Sequence, residues 1–173
     1  MIRLATSEDI PALRILMDRA ISGLMNDVLT PEQVQASFDI MGMDTQLIAD
    51  GTYFVVELEG QIAGCGGWSR RATLFGGDQT EGRDAALLDP ARDAARIRAM
   101  YTDPDFVRRG VGRTILDQCE IAARAEGFSR AEMAATMAGE PLYRACGYGV
   151  IEPFDGVSRA GVRVPLLRMG KAI

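Results

Sequence analysis

The chain has 173 residues, a length typical of one domain. With 47% hydrophobic and 25% charged residues, it can bury a core and stay soluble. Its formal net charge is -5 and its pI about 4.8, so nucleic acid and anionic membranes are disfavoured as partners. No apolar run approaches the roughly 20 residues that span a bilayer, and residues 1–5 lack the pattern of a secretion signal. We expect one domain, residues 1–173, in the cytoplasm.

Histidine is absent, and the three cysteines show no paired spacing of metal ligands. We therefore expect no metal site. Cys65, Cys119 and Cys146 each lie among small or apolar neighbours, which is typical of buried cysteines in a reducing compartment. Any acid–base chemistry must use carboxylates, tyrosine, cysteine, lysine or water.

The first forty residues predict one strand and two helices. Residues 2–5 are a short apolar stretch typical of a strand. Apolar residues then recur at three- and four-residue steps, as on the buried face of a helix; they are Ile10, Leu13, Met17, Ile21 and Leu24. A second helix begins where Thr30 can cap, Pro31 suits the first helical position and Gln33 completes a capping box.

A hairpin follows, and after it a long irregular segment. Residues 52–58 are rich in β-branched and aromatic side chains, and a Glu59-Gly60 turn leads into a second strand that ends at Trp68. Residues 69–94 contain Gly, Asp and Arg with little periodicity. They predict a long excursion between strands, and such loops are often functional.

The remainder of the chain predicts four strands and two helices. In chain order they are a strand over 95–102, a helix over 110–125, a strand over 130–136, a short helix over 139–146 and strands over 149–154 and 161–169. Gly127 and Gly147 are placed to end the two helices, and Pro165 indicates a bulge or a sheet edge. The whole order predicts a mixed α/β domain with most helices packed on one sheet.

The most informative stretch joins the strand over 95–102 to the following helix, which Gly110 and Gly112 open. Glycine lets a backbone approach a ligand closely, and the first turn of a helix presents unpaired N–H groups under a partial positive charge. With Arg108, Arg109 and Arg113 nearby, the stretch predicts a cradle for an anion, above all a pyrophosphate. The alternative is that the glycines bind nothing and only allow the helix to pack closely on a strand. The Gly-x-Gly pair by itself favours this alternative. The stretch fits neither the dinucleotide fingerprint nor a P-loop.

A second informative stretch is the short helix that Pro141 begins and Gly147 ends, with Tyr143 in its middle. A tyrosine hydroxyl that points into a cleft can donate a proton to a departing thiolate. The alternative is an amphipathic core residue whose hydroxyl lies at the surface. Taken alone, this stretch favours the alternative.

Together these stretches resemble the GNAT superfamily of acyl-CoA-dependent N-acyltransferases. Residues 108–112, Arg-Arg-Gly-Val-Gly, resemble its pyrophosphate-binding motif, and the run Leu142-Tyr143-x-x-x-Gly147-Tyr148 resembles another of its segments. The hairpin ending at Trp68 and the tail over 164–171 resemble its second and third strands and its closing strand. The matches occur in the right order over nearly the whole chain. Val107 departs from the motif, which has Gln or Arg there, and Arg108 next to it is a substitute.

The resemblance implies a central mixed, mostly antiparallel sheet of about seven strands, splayed between strands four and five and flanked by about four helices. Acetyl-CoA would lie in the gap as co-substrate, its pantetheine along the fourth strand and its pyrophosphate on the loop. The implied contact residues are Met100, Tyr101 and Thr102 for the pantetheine and Val107, Arg108, Arg109, Gly110, Val111, Gly112 and Arg113 for the pyrophosphate.

The implied reaction is direct attack of a primary amine on the thioester in a ternary complex. Tyr143 would protonate the leaving thiolate, and a backbone N–H of the fourth strand would stabilise the oxyanion. Glu57, Glu132 and Asp103 are the candidate general bases, and of these we choose Glu132. Trp68 would either line the acceptor cleft or join the core.

The acceptor, a small-molecule amine or a peptide, cannot be identified from the sequence. The alternative function is a non-catalytic acyl-CoA-binding domain that acts as a sensor or regulator. A nucleic-acid-binding module is disfavoured by the acidic charge and the absence of a clustered basic face. Because many relatives are dimers, a homodimer is one state that the resemblance allows.

Overall fold

The computed structural model describes all 173 residues and has one seven-stranded sheet at its centre. In chain order the strands are β1 (Ile2–Leu4), β2 (Tyr53–Leu58), β3 (Gln61–Ser69), β4 (Ala95–Thr102), β5 (Arg130–Thr136), β6 (Gly149–Val157) and β7 (Arg163–Ala172). They lie in the order β1-β2-β3-β4-β5-β7-β6, and only the β4–β5 pair is parallel. The predicted mixed, mostly antiparallel sheet is confirmed.

Five α-helices flank the sheet. They are α1 (Ile10–Leu24), α2 (Pro31–Ile40), α3 (Thr45–Ala49), α4 (Val111–Ala125) and α5 (Glu140–Ala145). The sequence predicted four, and α3 was missed because five residues are too few to reveal a helical period. The capping box of α2 is present: the Thr30 hydroxyl accepts from the Gln33 N–H at 3.2 Å, and the Gln33 side chain accepts from the Thr30 N–H at 3.0 Å. None of the helices combines the length and apolarity needed to cross a membrane.

A hydrophobic core lies on each face of the sheet. Helices α1 and α2 cover one face, and α4 covers the other. Trp68 belongs to the α4 side, where it is 2% exposed and meets the Phe128 ring edge-on at 6.0 Å between centroids. Its role is therefore in the core. Cys65 and Cys119 are buried as predicted, and burial raises the pKa of the Cys65 thiol to about 12.

The sheet is split between β4 and β5. The two strands pair only at their beginnings, Ala95 with Ala131 and Arg96 with Glu132. Further along, β4 carries a bulge in which two residues, Ala99 and Met100, oppose the single Gly66 of β3, and Ala99 has a left-handed φ of 50°. A bulge bends the strand that contains it. The bend accompanies the divergence of β4 from β5, so the predicted splay is confirmed.

The excursion between β3 and β4, residues 70–94, has no helix and only one isolated bridge, between Arg71 and Leu87. Side chains attach it to the end of α2. The Gln79 amide donates to the carbonyls of Phe38 and Met41, at 2.9 and 2.7 Å. The excursion consequently forms part of one wall beside the split.

Candidate active site

A cleft opens where β4 and β5 separate. Its lining of sixteen residues comes from both strands, the end of α2, the excursion, α5 and β7; twelve of these residues are hydrophobic, and none is a carboxylate. Met100 and Tyr101 of β4 are among them, as predicted for residues along the gap, whereas Thr102 is not. The buried Tyr101 hydroxyl accepts a hydrogen bond from the Gly42 N–H at 2.8 Å, which ties the end of α2 to this wall.

The loop after β4 presents free backbone N–H groups at the open end of the split. The amides of residues 108–113 donate no hydrogen bond within the protein, and the first bond of α4 runs from the Thr114 N–H to the Gly110 carbonyl at 3.0 Å. Arg108 and Gly110 are left-handed, with φ of 63° and 80°. A side chain at Gly110 would meet nothing within 4 Å, so glycine serves the backbone conformation there. Free N–H groups at a helix N-terminus are an anion site.

The second glycine of the motif has a packing role. A Cβ at Gly112 would lie 2.6 Å from Cδ2 of Leu142, so the small residue lets α5 approach the first turn of α4. The sequence predicted that both glycines serve a ligand. In the structure Gly112 packs against α5, not against a strand as the alternative had it, and its free N–H belongs to the same row as that of Gly110.

The three arginines of the loop differ in their partners. Arg109 pairs with the Glu59 carboxylate at 2.7 Å, and its guanidinium lies over the Phe106 ring at 5.2 Å. Arg108 and Arg113 form no ion pair in the structure, so their charges are available to a bound phosphate.

Tyr143 lies in α5 with its ring in the cleft wall, 8% exposed. The ring packs against the backbone of Gly139, where a Cβ would lie 2.8 Å from its Cε2 atom, and meets Tyr148 edge-on at 6.3 Å between centroids. Its hydroxyl makes no hydrogen bond within the protein, yet is not sealed from solvent. Burial raises the pKa of Tyr143 above its ordinary value, so the phenol keeps its proton at neutral pH. The residue can act as a proton donor toward the cleft.

The model of the acetyltransferase (GNAT) family matches residues 21–148, about three quarters of the chain. The chain belongs to the GNAT family of acetyltransferases. The family uses acetyl-CoA, and the split and the free amides lie at the positions that the sequence motifs predicted. No curated protein sequence matches this one.

Solved structures share the fold over the full length of this GNAT protein. A GCN5-related N-acetyltransferase from Rhodopseudomonas palustris is 22% identical, with 100% of this chain and 95% of that chain covered and a TM-score of 0.75. A PaiA N-acetyltransferase from Thermoplasma acidophilum in complex with coenzyme A is 13% identical, with 100% and 98% covered and a TM-score of 0.68. The putative acetyltransferase YncA from Salmonella typhimurium with acetyl-CoA is 19% identical, with 99% and 92% covered and a TM-score of 0.64.

The carboxylates considered as general bases are all held by arginines outside the cleft. Glu132 lies between Arg96 and Arg168, at 3.2 and 2.6 Å. Glu57 pairs with Arg3 at 2.8 Å, and Asp103 pairs with Arg19 at 3.0 Å. Glu132 was our choice of general base from the sequence. Its two arginine partners favour a structural role instead, at the end where β4 and β5 pair.

Sequence reasoning expected the excursion to be functional but did not specify which residues form the wall opposite the strands. It consists of the end of α2 and residues 74–76 of the excursion, with the Phe75 ring 5.8 Å from that of Phe154 on β6. A signal was present: Leu74-Phe75-Gly76-Gly77 is an apolar and flexible stretch within an otherwise polar segment. An isolated stretch of this kind in a long loop is typical of a segment that folds back onto the domain.

Proposed function

We propose that the protein transfers an acetyl group from acetyl-CoA to a primary amine by direct attack in a ternary complex. The observation that carries the proposal is the row of unpartnered amides over residues 108–113 at the open end of the split sheet. A diphosphate is the kind of anion that such a row binds, and Arg108 and Arg113 add charge to it. Membership in the GNAT family and structural neighbours solved with coenzyme A and acetyl-CoA support the same assignment.

The pantetheine would extend along β4. From Ile97 onward this strand has no partner on the β5 side, and an extended chain can add to such an edge by main-chain hydrogen bonds. Met100, Tyr101 and Thr102 are the residues we assign to it. A backbone N–H near the bulge would face the developing oxyanion, and a donor of this kind contributes about 3–4 kcal/mol to transition-state stability.

Acetyl-CoA supplies the acetyl group as an activated thioester, and Tyr143 would protonate the sulfur that leaves. The supporting observation is access: the Tyr143 side chain lies in the cleft wall, and its hydroxyl has no partner within the protein. Burial raises the pKa of Tyr143, so the phenol holds its proton at neutral pH and is a weaker acid than an exposed tyrosine. A general acid needs both access and a proton to give.

The acceptor would enter the cleft as a neutral amine. No carboxylate lines the cleft to take up its proton, and the one charged residue of the lining is Arg98. Apolar surroundings and a neighbouring positive charge both disfavour the protonated form of an amine, so each lowers its pKa. The ammonium proton would then leave to water before attack. The nitrogen would lose a second proton once its bond to the acetyl carbon has formed, and this proton would return through water to the Tyr143 oxygen, which gives its own proton to the leaving sulfur, so Glu132 is not required as a base.

Two measurements test the proposal. A near-saturating concentration of coenzyme A, about a hundredfold above Kd, should stabilise the protein by about 2.7 kcal/mol and raise its Tm by several degrees. Release of free thiol from acetyl-CoA should then depend on an added small amine or peptide. No Tm change at saturation would remove the cofactor assignment. A Tm change without thiol release for any amine would favour the non-catalytic acyl-CoA-binding alternative.

A further inference from the structure

The wall of the cleft opposite the strands carries no polar side chain. It consists of Ile40, Met41 and Gly42 at the end of α2 and of residues 74–76, Leu-Phe-Gly, in the excursion. In the proposed function the cofactor lies between β4 and β5. The residues opposite these strands are then left to contact the acceptor, and they are called the apolar wall below.

Leu74 is the member of the apolar wall whose position the packing of the protein does not explain. The ring of Phe75 packs on that of Phe154, and Met41 packs against the core on the side of α1 and α2. Leu74 is half-buried and lines the cleft, yet it packs against neither hydrophobic core. An apolar side chain in this position gains most when an apolar ligand covers it and removes it from water.

The cleft offers no partner to a charged group on the body of the acceptor. None of its lining residues is a carboxylate, so a second ammonium would have no counter-ion. Its one cation, Arg98, is 2% exposed at its side chain, pairs with Asp44 at 3.0 Å and donates to the Gly76 carbonyl at 2.6 Å. A carboxylate in the cleft would therefore find the guanidinium already engaged. Because burying a charge without a partner is costly, the cleft disfavours both kinds of charged group.

We propose that the acceptor is an apolar monoamine, an alkylamine or arylalkylamine whose hydrocarbon body packs on Leu74 and the rest of the apolar wall. The inference rests on the proposed function, since it names the class of amine that the cleft would acetylate. Polyamines and free amino acids carry a second charge that the cleft does not pair, so they would be poor acceptors. A peptide N-terminus is disfavoured as well, because the amide groups next to its amine would face side chains that offer no hydrogen bond.

The experiment measures thiol release from acetyl-CoA with a panel of primary amines. Propylamine, butylamine and pentylamine differ only in chain length, and kcat/KM should rise about fourfold with each methylene that becomes buried. Diaminobutane has as many non-hydrogen atoms as pentylamine but carries a second ammonium, and aminobutanoate carries a carboxylate. Each should be about a hundredfold poorer as an acceptor than pentylamine. Thermal shifts of the coenzyme A complex with the same amines report binding without turnover and should give the same order.

Leu74→Glu tests the apolar wall itself, because it adds a carboxylate to a cleft that has none. The preference for pentylamine over diaminobutane should fall by about tenfold or more, with Kd for coenzyme A unchanged. Leu87→Glu is the matched control. It changes another leucine of the excursion, which is 68% exposed and lies outside the cleft, and it should keep the parental preference.

Several outcomes would overturn the inference while leaving acetyl transfer intact. They are the absence of any gain with chain length, equal kcat/KM for pentylamine and diaminobutane, an unaltered preference in folded Leu74→Glu, and better transfer to an apolar peptide N-terminus than to pentylamine. If no amine released thiol, the proposed function would fail. Thermal shifts that do not distinguish pentylamine from diaminobutane would then overturn the inference independently.

Discussion

Two regions beside the cleft are built from different chemical groups. In the loop proposed to bind the diphosphate, called the phosphate side below, residues 108–113 offer backbone N–H groups without partners. In the excursion, called the acceptor side below because it borders the proposed acceptor cleft, side chains bond to backbone carbonyls: Thr73 donates to the Asp84 carbonyl, Thr80 to the Asp39 carbonyl and Gln79 to the end of α2. The backbone N–H groups of the first region remain free to bind a ligand. The polar groups named in the second region are already hydrogen-bonded to one another.

The difference follows from secondary structure. The first N–H groups of a helix have no carbonyl to reach within the helix, so they remain available whatever the side chains are. A long segment without helix or strand has the opposite problem, because each buried carbonyl needs a donor from elsewhere. Buried Arg98 supplies part of that need for the excursion, since it donates to the carbonyls of Thr73 and Gly76. The phosphate side should therefore be sensitive to backbone changes, and the acceptor side to charge changes.

The largest effect should come from Asp44→Asn. Asp44 is 3% exposed, and its loss of charge would leave Arg83 and Arg98 facing each other without an anion. Breaking a buried ion pair of this kind costs about 3–5 kcal/mol. We expect a Tm about 10 °C lower by calorimetry, with coenzyme A still able to raise it.

Asp89→Asn is the matched control. Each aspartate accepts from the amide two residues further on, at 3.1 Å for Asp44 and 3.0 Å for Asp89, and each meets an arginine. Asn can keep this hydrogen bond in both cases. Asp89 is 54% exposed, so its variant should change stability by about 0.5 kcal/mol or less. Equal losses for the two variants would show that Asp44 acts through its cap and that the excursion does not depend on the charge network.

The next effect concerns the phosphate side. Gly110→Glu should weaken coenzyme A binding by about a hundred- to a thousandfold, since it introduces a negative charge and a disfavoured left-handed side chain into the cradle. Calorimetric titration measures the change in Kd. Gly161→Glu is the control, because Gly161 has the same φ of 80° and the same open surroundings in the turn before β7. It should cost similar stability and leave Kd alone. An unaltered Kd in folded Gly110→Glu would place the diphosphate elsewhere.

Whether a region is determined by neighbouring or by distant residues decides what could be predicted from the sequence. The strands over 95–102 and 130–136 have the predicted bounds, because alternating apolar residues and flanking turns define them locally. Pro165 was expected at a bulge or an edge; it lies in β7 just beyond the end of β5, whose last pair is Thr136 with Leu166. Pro165 thus has no neighbour on the β5 side, although β7 as a whole lies between β5 and β6. Elements whose causes are local in the chain were predictable.

The acceptor side could not be predicted, because its contacts join distant residues. Arg98 meets Asp44 across 54 positions, and Glu132 meets Arg168 across 36. The residues next to Glu132 in the sequence do not indicate that Arg96 and Arg168 enclose its carboxylate. Glu132 was therefore considered free to act as a general base. For Gly112 the sequence indicated close packing as an alternative, but on a strand and not against Leu142 of α5. The free amides of residues 108–113 were predictable, since one short motif specifies the local backbone there.

The smallest of the expected effects separates two neighbouring tyrosines. Tyr143→Phe should lower kcat about a hundredfold, the lower end of the contribution of a general acid, with coenzyme A affinity unchanged. Stability should stay within about 0.5 kcal/mol, because the Tyr143 hydroxyl has no partner to lose. The pH profile of the parent gives a further check. A proton donor works while protonated, and burial raises the pKa of Tyr143, so kcat should show no loss from this group between neutral pH and its ordinary pKa near 10.

Tyr148→Phe should give the reverse result. The Tyr148 hydroxyl donates to Glu120 at 3.1 Å, and Lys171 pairs with the same carboxylate at 2.9 Å. Losing a hydrogen bond to a buried charged group should cost about 1–2 kcal/mol in unfolding and leave kcat nearly unchanged. Equal kcat in Tyr143→Phe and the parent would clear Tyr143 of proton donation. The remaining proton donors of the cleft would then be water and the hydroxyls of Tyr101 and Thr136, which accept from the Gly42 and Gly139 amides and keep their own protons to donate.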